Sequence, residues 1–227
     1  MSTLFVTATG TEIGKTLVAA SLCHELRAAG RPVRALKPVL SGYDPATLAE
    51  SDPGVLLASL GEPVTEDAVA TIAPWRFSAP LSPDMAAARE GRRLDLADIV
   101  AFCRAAEGDP LLVEGIGGAM VPLNDDHTVL DWIAELGAPA LVVAGSYLGT
   151  ISHTLTTLAA IRARGIPIAG LVISESPESP VPLAETAETI NRHGGPVPTV
   201  LVPRLPPGPA PWRAAPAFLS TLDLSDR

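Results

Sequence analysis

Short apolar runs alternate along this chain with segments whose apolar residues recur every three to four positions. Leu4 to Ala8 is a β-prone run. Behind it Val18, Leu22, Leu26 and Ala29 recur at helical spacing until Gly30, Arg31 and Pro32 end the pattern. Further strand-like runs lie at Val33 to Val39, Leu111 to Val113, Ala140 to Ala144, Ile168 to Ile173 and Val197 to Val202. Between them Leu96, Ile99, Val100 and Cys103 form one helical stripe, and Ile151, Leu155 and Leu158 form another. Runs that are apolar throughout, alternating with amphipathic helices, describe an α/β fold: a parallel β-sheet flanked by helices on both faces. No internal repeat or shift in composition marks a boundary, so residues 1–227 read as a single domain. Its end is irregular, a proline-rich segment from about Pro203 with six prolines up to Pro216, expected to lie as a surface strap or loop.

Composition narrows the function. With 47% apolar and 18% charged residues, the chain has material for a large core and is not disordered. Sixteen basic against 25 acidic residues leave a net charge of −9, which disfavours nucleic acid and anionic membranes as partners. Cys23 and Cys103 are too few for a disulfide framework, fall on apolar helix faces and offer no zinc spacing. The N-terminal apolar stretch is short and lacks a basic leader. The expectation is a reduced, cytoplasmic protein.

The chemistry begins where the first strand ends. Gly14-Lys15-Thr16 lies between a strand and a helix, the context of a loop whose backbone N–H groups and helix dipole cradle phosphate. Lys15 would reach the β- and γ-phosphates, and the Thr16 hydroxyl would ligate Mg2+. The loop is a variant one: Thr9 stands where the first glycine is usual, and Gly10 follows. Leu111-Leu112-Val113-Glu114 sets a carboxylate at the tip of another buried strand, the edge where ligands collect in open parallel sheets. Behind it Gly115-Ile116-Gly117-Gly118 allows close backbone approach. Asp52 in Glu50-Ser51-Asp52-Pro53 fits a metal ligand and a helix cap equally well. Lys37-Pro38 ends the second strand on the same edge, where proline keeps Lys37 extended. Two ammonium groups on one nucleotide point to a phosphoryl acceptor that is itself an anion.

Taken together, these stretches resemble the dethiobiotin synthetase family, of the P-loop NTPase type. The likeness is carried by Phe5 to Thr16, Lys37-Pro38-Val39-Leu40-Ser41-Gly42, Ser51-Asp52, Pro80-Leu81-Ser82-Pro83 and Val113 to Gly118. Leu148 to His153 and Ala169 to Val172 continue it, in the family's order, over about residues 4–205. The resemblance implies that a diamine, diaminopelargonic acid, is carbamylated by CO2, that ATP phosphorylates the carbamate, and that the second amine closes a cyclic urea with release of ADP and phosphate. It implies Lys37 and Lys15 as catalytic groups, and Thr16, Asp52 and Glu114 as Mg2+ ligands. The nucleotide would be held by Glu12, Ile13, Gly14, Lys15, Thr16, Leu17, Asp52, Glu114, Gly115, Ile116 and Gly117, with Ser174 and Pro203-Arg204-Leu205 around the base. Thr11 and Ser41 would lie beside the diamine. The substrate's distal carboxylate would meet Gly149, Thr150 and Ser152 at a helix start donated by the partner of a homodimer.

Three positions differ from the family pattern. Ala8 replaces a usual glycine, Tyr147 stands where some relatives carry lysine, and Ser174 stands where an asparagine often reads the adenine edge. Two other classes compete. A partitioning-type ATPase would place a second lysine inside the phosphate loop, where Thr9 and Gly10 stand here, and would tend to carry a basic amphipathic helix or patch, which the proline-rich C-terminus is not. A glutamine-dependent amidoligase would need a nucleophilic cysteine with histidine partners, which Cys23 and Cys103 do not supply.

Overall fold

The computed structural model describes residues 3–222, so the outermost ends of the expected domain, 1–2 and 223–227, lie outside the described residues. Six strands form one all-parallel sheet: β1 (Thr3–Ala8), β2 (Arg34–Leu36), β5 (Leu111–Glu114), β6 (Ala140–Ala144), β7 (Ile168–Ser174) and β8 (Thr199–Val202). Their order is β2-β5-β1-β6-β7-β8, and two further strands, β3 (Val39–Ser41) and β4 (Trp75–Phe77), pair separately. Residues Leu4 to Ala8, Leu111 to Glu114 and Ala140 to Ala144 are all buried. Because successive strand side chains point to opposite faces, an unbroken buried run means that both faces are covered.

Helix α1 (Lys15–Ala28) packs Val18, Leu22 and Leu26 into that core and lies against β1, β2 and β5. Helix α7 (Thr150–Ala163) packs on β6 and β7, and α8 (Leu183–Gly194) on β8. On the other flank α5 (Leu96–Ala105) meets α6 (Val129–Leu136), and Trp132 of α6 closes edge-to-face on Phe5 with ring centroids 4.8 Å apart. The remaining helices, α2 (Asp52–Leu60), α3 (Glu66–Ile72) and α4 (Pro83–Arg89), come from the stretch that also contains β3 and β4.

Two expectations need correction. The single strand anticipated over Val33 to Val39 is two strands in two sheets. Pro38 has no N–H for the ladder, the Lys37 N–H turns to the Ile72 carbonyl at 3.0 Å, and the Pro38 carbonyl accepts from Trp75 N–H at 3.1 Å. The chain therefore leaves the main sheet at Lys37 and runs on beside β4. The proline-rich end is irregular apart from a short 3₁₀ turn at Pro211–Ala214, but it is more than a surface strap. Trp212, Phe218 and Leu222 are buried, and the Glu25 carboxylate of α1 accepts the Phe218 N–H at 2.8 Å. Three large apolar residues without periodicity anchor this segment, a pattern that helical or strand templates do not register.

The carboxylate of Asp131 shows how a helix start is fixed. It accepts from the Thr128 N–H at 2.7 Å and the Thr128 hydroxyl at 2.8 Å, and its other oxygen lies 2.6 Å from Arg164 Nη1. Burial works against its charge, but these donors prevail and hold the carboxyl at about 2, below its ordinary 3.8. An acid depressed on folding stabilises above its unfolded pKa and loses that contribution as pH falls through the native one. Asp131→Asn should therefore lower urea stability by about 1 kcal/mol near neutral pH. The difference should close as pH falls from about 4 towards 2, and identical urea midpoints near neutrality would contradict this role.

Candidate functional site

The strand order reverses around β1, with β5 on one side and β6 on the other, so the loops after these strands open at one edge of the sheet. The chain after β1 makes a tight turn in which Glu12 takes a φ of 58° and Gly14 a φ of 99°. A side chain at Gly14 would be strained by that φ and would meet Ser174 Oγ at 2.9 Å. Lys15, the first residue of α1, bends back to donate to the Gly10 carbonyl at 3.1 Å. The glycine run after β5 lies directly on this turn: Gly115 N–H bonds Val6 O at 3.0 Å, Ala119 N–H bonds Ala8 O at 3.0 Å, and a Cβ on Gly115 would strike the Phe5 ring.

The charged centre is assembled from α1, β2, α2 and β5. The Thr16 hydroxyl lies 2.7 Å from Asp52 Oδ1 and 2.8 Å from Glu114 Oε1. Lys37 Nζ lies 2.7 Å from Glu114 Oε1, 2.9 Å from Asp52 Oδ2 and 2.8 Å from the Gly115 carbonyl. The cap reading at Asp52 is excluded by its neighbour. Ser51 caps α2 by accepting the Gly54 N–H at 3.2 Å, which leaves the Asp52 carboxylate to face Thr16 and Lys37.

Electrostatics follow from burial and these partners. Burial alone would discharge Lys37, but Asp52 and Glu114 outweigh it and hold the ammonium above the ordinary lysine range. For Asp52 burial is likewise overridden by Lys37, and its carboxyl falls below the usual value. Burial prevails at Glu114 and raises its carboxyl. At Lys15 burial, then the nearby Lys37 ammonium, lower the pKa from 10.5 to about 8. Burial pushes both cysteine thiols up to about 12, which suits core residues and no nucleophile.

A cleft of about 730 Å³ opens over this centre. Thr11, Glu12, Gly14, Lys15 and Thr16 form its floor, with Lys37, Ser41 and Asp52 beside them. Ser41 Oγ is buried without a hydrogen-bond partner. Ile116 and Gly117 also line the cleft, whereas Glu114 and Gly115 lie beneath it and Ile13 and Leu17 pack partly against the core. Ser174 ends β7 over Gly14, and the segment after β8 lies alongside, where Arg204 N–H donates to Glu175 at 2.8 Å and Leu205 packs on the core.

The start of α7 stands apart from this cleft: Gly149, Thr150 and Ser152 do not line it. Thr150 is fully engaged at home, its hydroxyl on the Gly145 carbonyl at 2.7 Å and its N–H on the Tyr147 carbonyl at 3.0 Å. Gly149 (φ 101°) and Ser152 are exposed, and Tyr147 meets His153 Nδ1 at 2.9 Å.

The apolar wall of the cleft was not expected. Leu40, Pro80, Leu81, Pro83 and Val121 form it, with Ser82 among them. The recurring prolines after β4 were visible in the sequence, but nothing there says that the chain folds back over the phosphate turn. A plainer signal lies in the composition: the 227 residues hold only two lysines, Lys15 and Lys37, and both line this cleft. The other 14 basic residues are arginine.

The donor set suits magnesium. Two carboxylates and one hydroxyl converge within 2.8 Å, all hard oxygens, and Glu114 Oε2 is buried without a partner. Among the described residues no cluster of three or more His, Cys, Asp or Glu side chains forms a complete metal cage. Magnesium commonly takes one or two carboxylates and completes its shell with water and substrate phosphates, so the set fits the ion together with a nucleotide.

A family model described as AAA domain matches residues 2–210. ATP-dependent dethiobiotin synthetase BioD of Acidiphilium cryptum (strain JF-5) is 57% identical over 202 residues, covering 87% of this chain and 91% of that protein. The protein of the same name from Methylobacterium nodulans (strain LMG 21967 / CNCM I-2342 / ORS 2060) is 52% identical over 204 residues, covering 86% and 90%. Among solved structures, the ParA family ATPase from Chlorobium tepidum TLS superposes with a TM-score of 0.52 at 15% identity, covering 97% of this chain and 90% of that one. At that identity the likeness speaks for the fold alone.

With its pKa lowered to about 8, Lys15 loses its proton in the free protein as pH rises past that value. Each further unit removes about nine-tenths of the remaining charged form. The dissociation constant for ATP, measured calorimetrically, should be nearly flat below about pH 7.5 and rise about tenfold per unit above 8.5. A flat profile up to pH 9.5 would mean that the Lys15 charge does not govern binding.

Proposed function

The chain belongs to the ATP-dependent dethiobiotin synthetase family, ligases of biotin biosynthesis, and from that membership we propose how its own residues carry the reaction. Diaminopelargonic acid and CO2 give a carbamate, a carbamate oxygen attacks the γ-phosphorus of ATP, and ADP leaves. The second amine then attacks the carbonyl carbon of the mixed anhydride and expels phosphate, which closes the cyclic urea. The single observation that carries this reading is the convergence of Lys15, Thr16, Lys37, Asp52, Thr11 and Ser41 on one cleft.

The phosphate turn would receive the triphosphate through its backbone N–H groups, Glu12 to Leu17, at the positive end of α1. Lys15 would leave the Gly10 carbonyl for the β- and γ-phosphate oxygens. Lys37 would neutralise the carbamate oxygen as it nears the γ-phosphate and hold charge as it moves in the transition state. Thr11 and Ser41 would position the diamine, and the unpartnered Ser41 hydroxyl suits this role. The aliphatic part of the substrate would lie on Leu40, Leu81 and Val121. Thr16, Asp52 and Glu114 would hold Mg2+, which when bound shields the phosphate charge and polarises the γ-phosphoryl group.

Ser174, Pro203, Arg204 and Leu205 would enclose the base. The homodimer belongs to this proposal, with the α7 start at Gly149, Thr150 and Ser152 serving the neighbouring protomer's substrate carboxylate. The exposed Leu148, with 89% of its surface open, is in keeping with a covered face there. A cytoplasmic setting is part of the same reading and agrees with two buried free thiols. Among the described residues no helix is long and apolar enough to cross a membrane.

Incubating the protein with the diamine, bicarbonate, Mg2+ and ATP should yield the cyclic urea and ADP in equal amounts. ADP release indifferent to the diamine would favour a nucleotide switch instead. Lys37→Ala should bind Mg-ATP at least as well as the parent while turnover falls by about 10²–10³. Undiminished turnover would remove Lys37 from the chemistry.

A further inference from the structure

The Lys37 ammonium has three protons, and all three are committed: to Glu114 Oε1, Asp52 Oδ2 and the Gly115 carbonyl, at 2.7, 2.9 and 2.8 Å. The residue is 1% exposed. Two of its acceptors are the carboxylates of the proposed metal set, and one oxygen is common to both arrangements, since Glu114 Oε1 also lies 2.8 Å from Thr16 Oγ1. A divalent ion on these oxygens would share lone pairs with the ammonium and sit at contact distance from its like charge. The backbone at Lys37 is fixed, with its N–H on Ile72 and Pro38 behind it, so what remains free to move is a four-carbon side chain. The Gly115 carbonyl is no part of the metal set and offers a pivot that the ammonium need not give up.

We propose that Lys37 and the divalent metal exchange on Asp52 and Glu114, so that metal loading and delivery of the ammonium to the reacting oxygens are one event. This rests on the reading that Thr16, Asp52 and Glu114 hold the metal. It adds that Lys37 is the built-in counter-ion of these carboxylates, its ammonium held on them until a stronger cation takes its place. The device ties the acceptor-side charge to the arrival of the metal nucleotide, so that the diamine alone does not assemble both ammonium groups.

The composition makes the test clean, because Lys15 and Lys37 carry the only side-chain amines in the chain. The whole protein, saturated with ADP, is acetylated with an N-hydroxysuccinimide ester with and without Mn2+, and labelling at Lys37 is read by peptide mass spectrometry. Mn2+ uptake is followed in the same samples by its paramagnetic resonance. Lys37 should be protected without metal and label about tenfold faster once Mn2+ binds. Bound Mn2+ with unchanged labelling would overturn the exchange and leave the metal site standing, whereas no Mn2+ uptake would overturn both. Independently, Lys37→Gln should bind Mn2+ about tenfold more tightly than the parent, its fold checked by thermal melting. Equal affinity would contradict the competition. Should that variant not fold, the labelling of the parent decides alone.

Discussion

One ammonium shared between two carboxylates at the base of a cleft sets the terms for the rest of this molecule. Lys37 and Glu114 are each about 1% exposed, and the Lys37 charge is kept there by Asp52 and Glu114 together. Buried pairs of this kind add little to stability, because their desolvation offsets their attraction, whereas removing one partner strands the other. The four elements that meet here come from sequence positions 15–28, 34–36, 52–60 and 111–114, so the centre exists only when the whole first half of the fold is in place.

The sheet supplies the precision. β1 and β5 are adjacent and in register from Thr3 with Leu111 to Val6 with Glu114, which carries the phosphate turn and the Glu114 carboxylate to the same edge. β2 lies on the far side of β5, with Leu36 opposite Val113, so Lys37 emerges one residue beyond its strand, beside Glu114. Glycine at 115 lets the backbone after β5 run against Phe5 with no gap, and its carbonyl becomes the third acceptor of the ammonium. On the side of the sheet the centre is backed by close-packed apolar side chains, which strengthen the contact between the buried Lys37 and Glu114.

Much of this was legible in the sequence, for identifiable reasons. Buried parallel strands have a dense apolar signature, and each strand of the main sheet was visible as such a run. The phosphate turn was legible because its glycine, lysine and threonine are fixed by backbone geometry and ligand chemistry within a few residues. Asp52 was not settled, because an acid before a proline suits a cap and a ligand alike, and only the position of Ser51 separates them. The break at Lys37 was missed because apolar character continues through Val39 and Leu40 while the hydrogen-bond partner changes. The buried anchors Trp212, Phe218 and Leu222 and the apolar wall from Leu40 to Val121 depend on contacts between distant segments, which no local pattern records.

In the proposed mechanism the Lys37 charge serves the attack on the terminal phosphate and is parked on Asp52 and Glu114 beforehand. A crystal structure of the protein with Mg2+, a non-hydrolysable ATP analogue, the diamine and bicarbonate measures this directly. Lys37 Nζ should then lie within hydrogen-bond reach of a γ-phosphate or carbamate oxygen, with Asp52 and Glu114 turned to the metal. An ammonium still held by both carboxylates beside a bound metal nucleotide would contradict it.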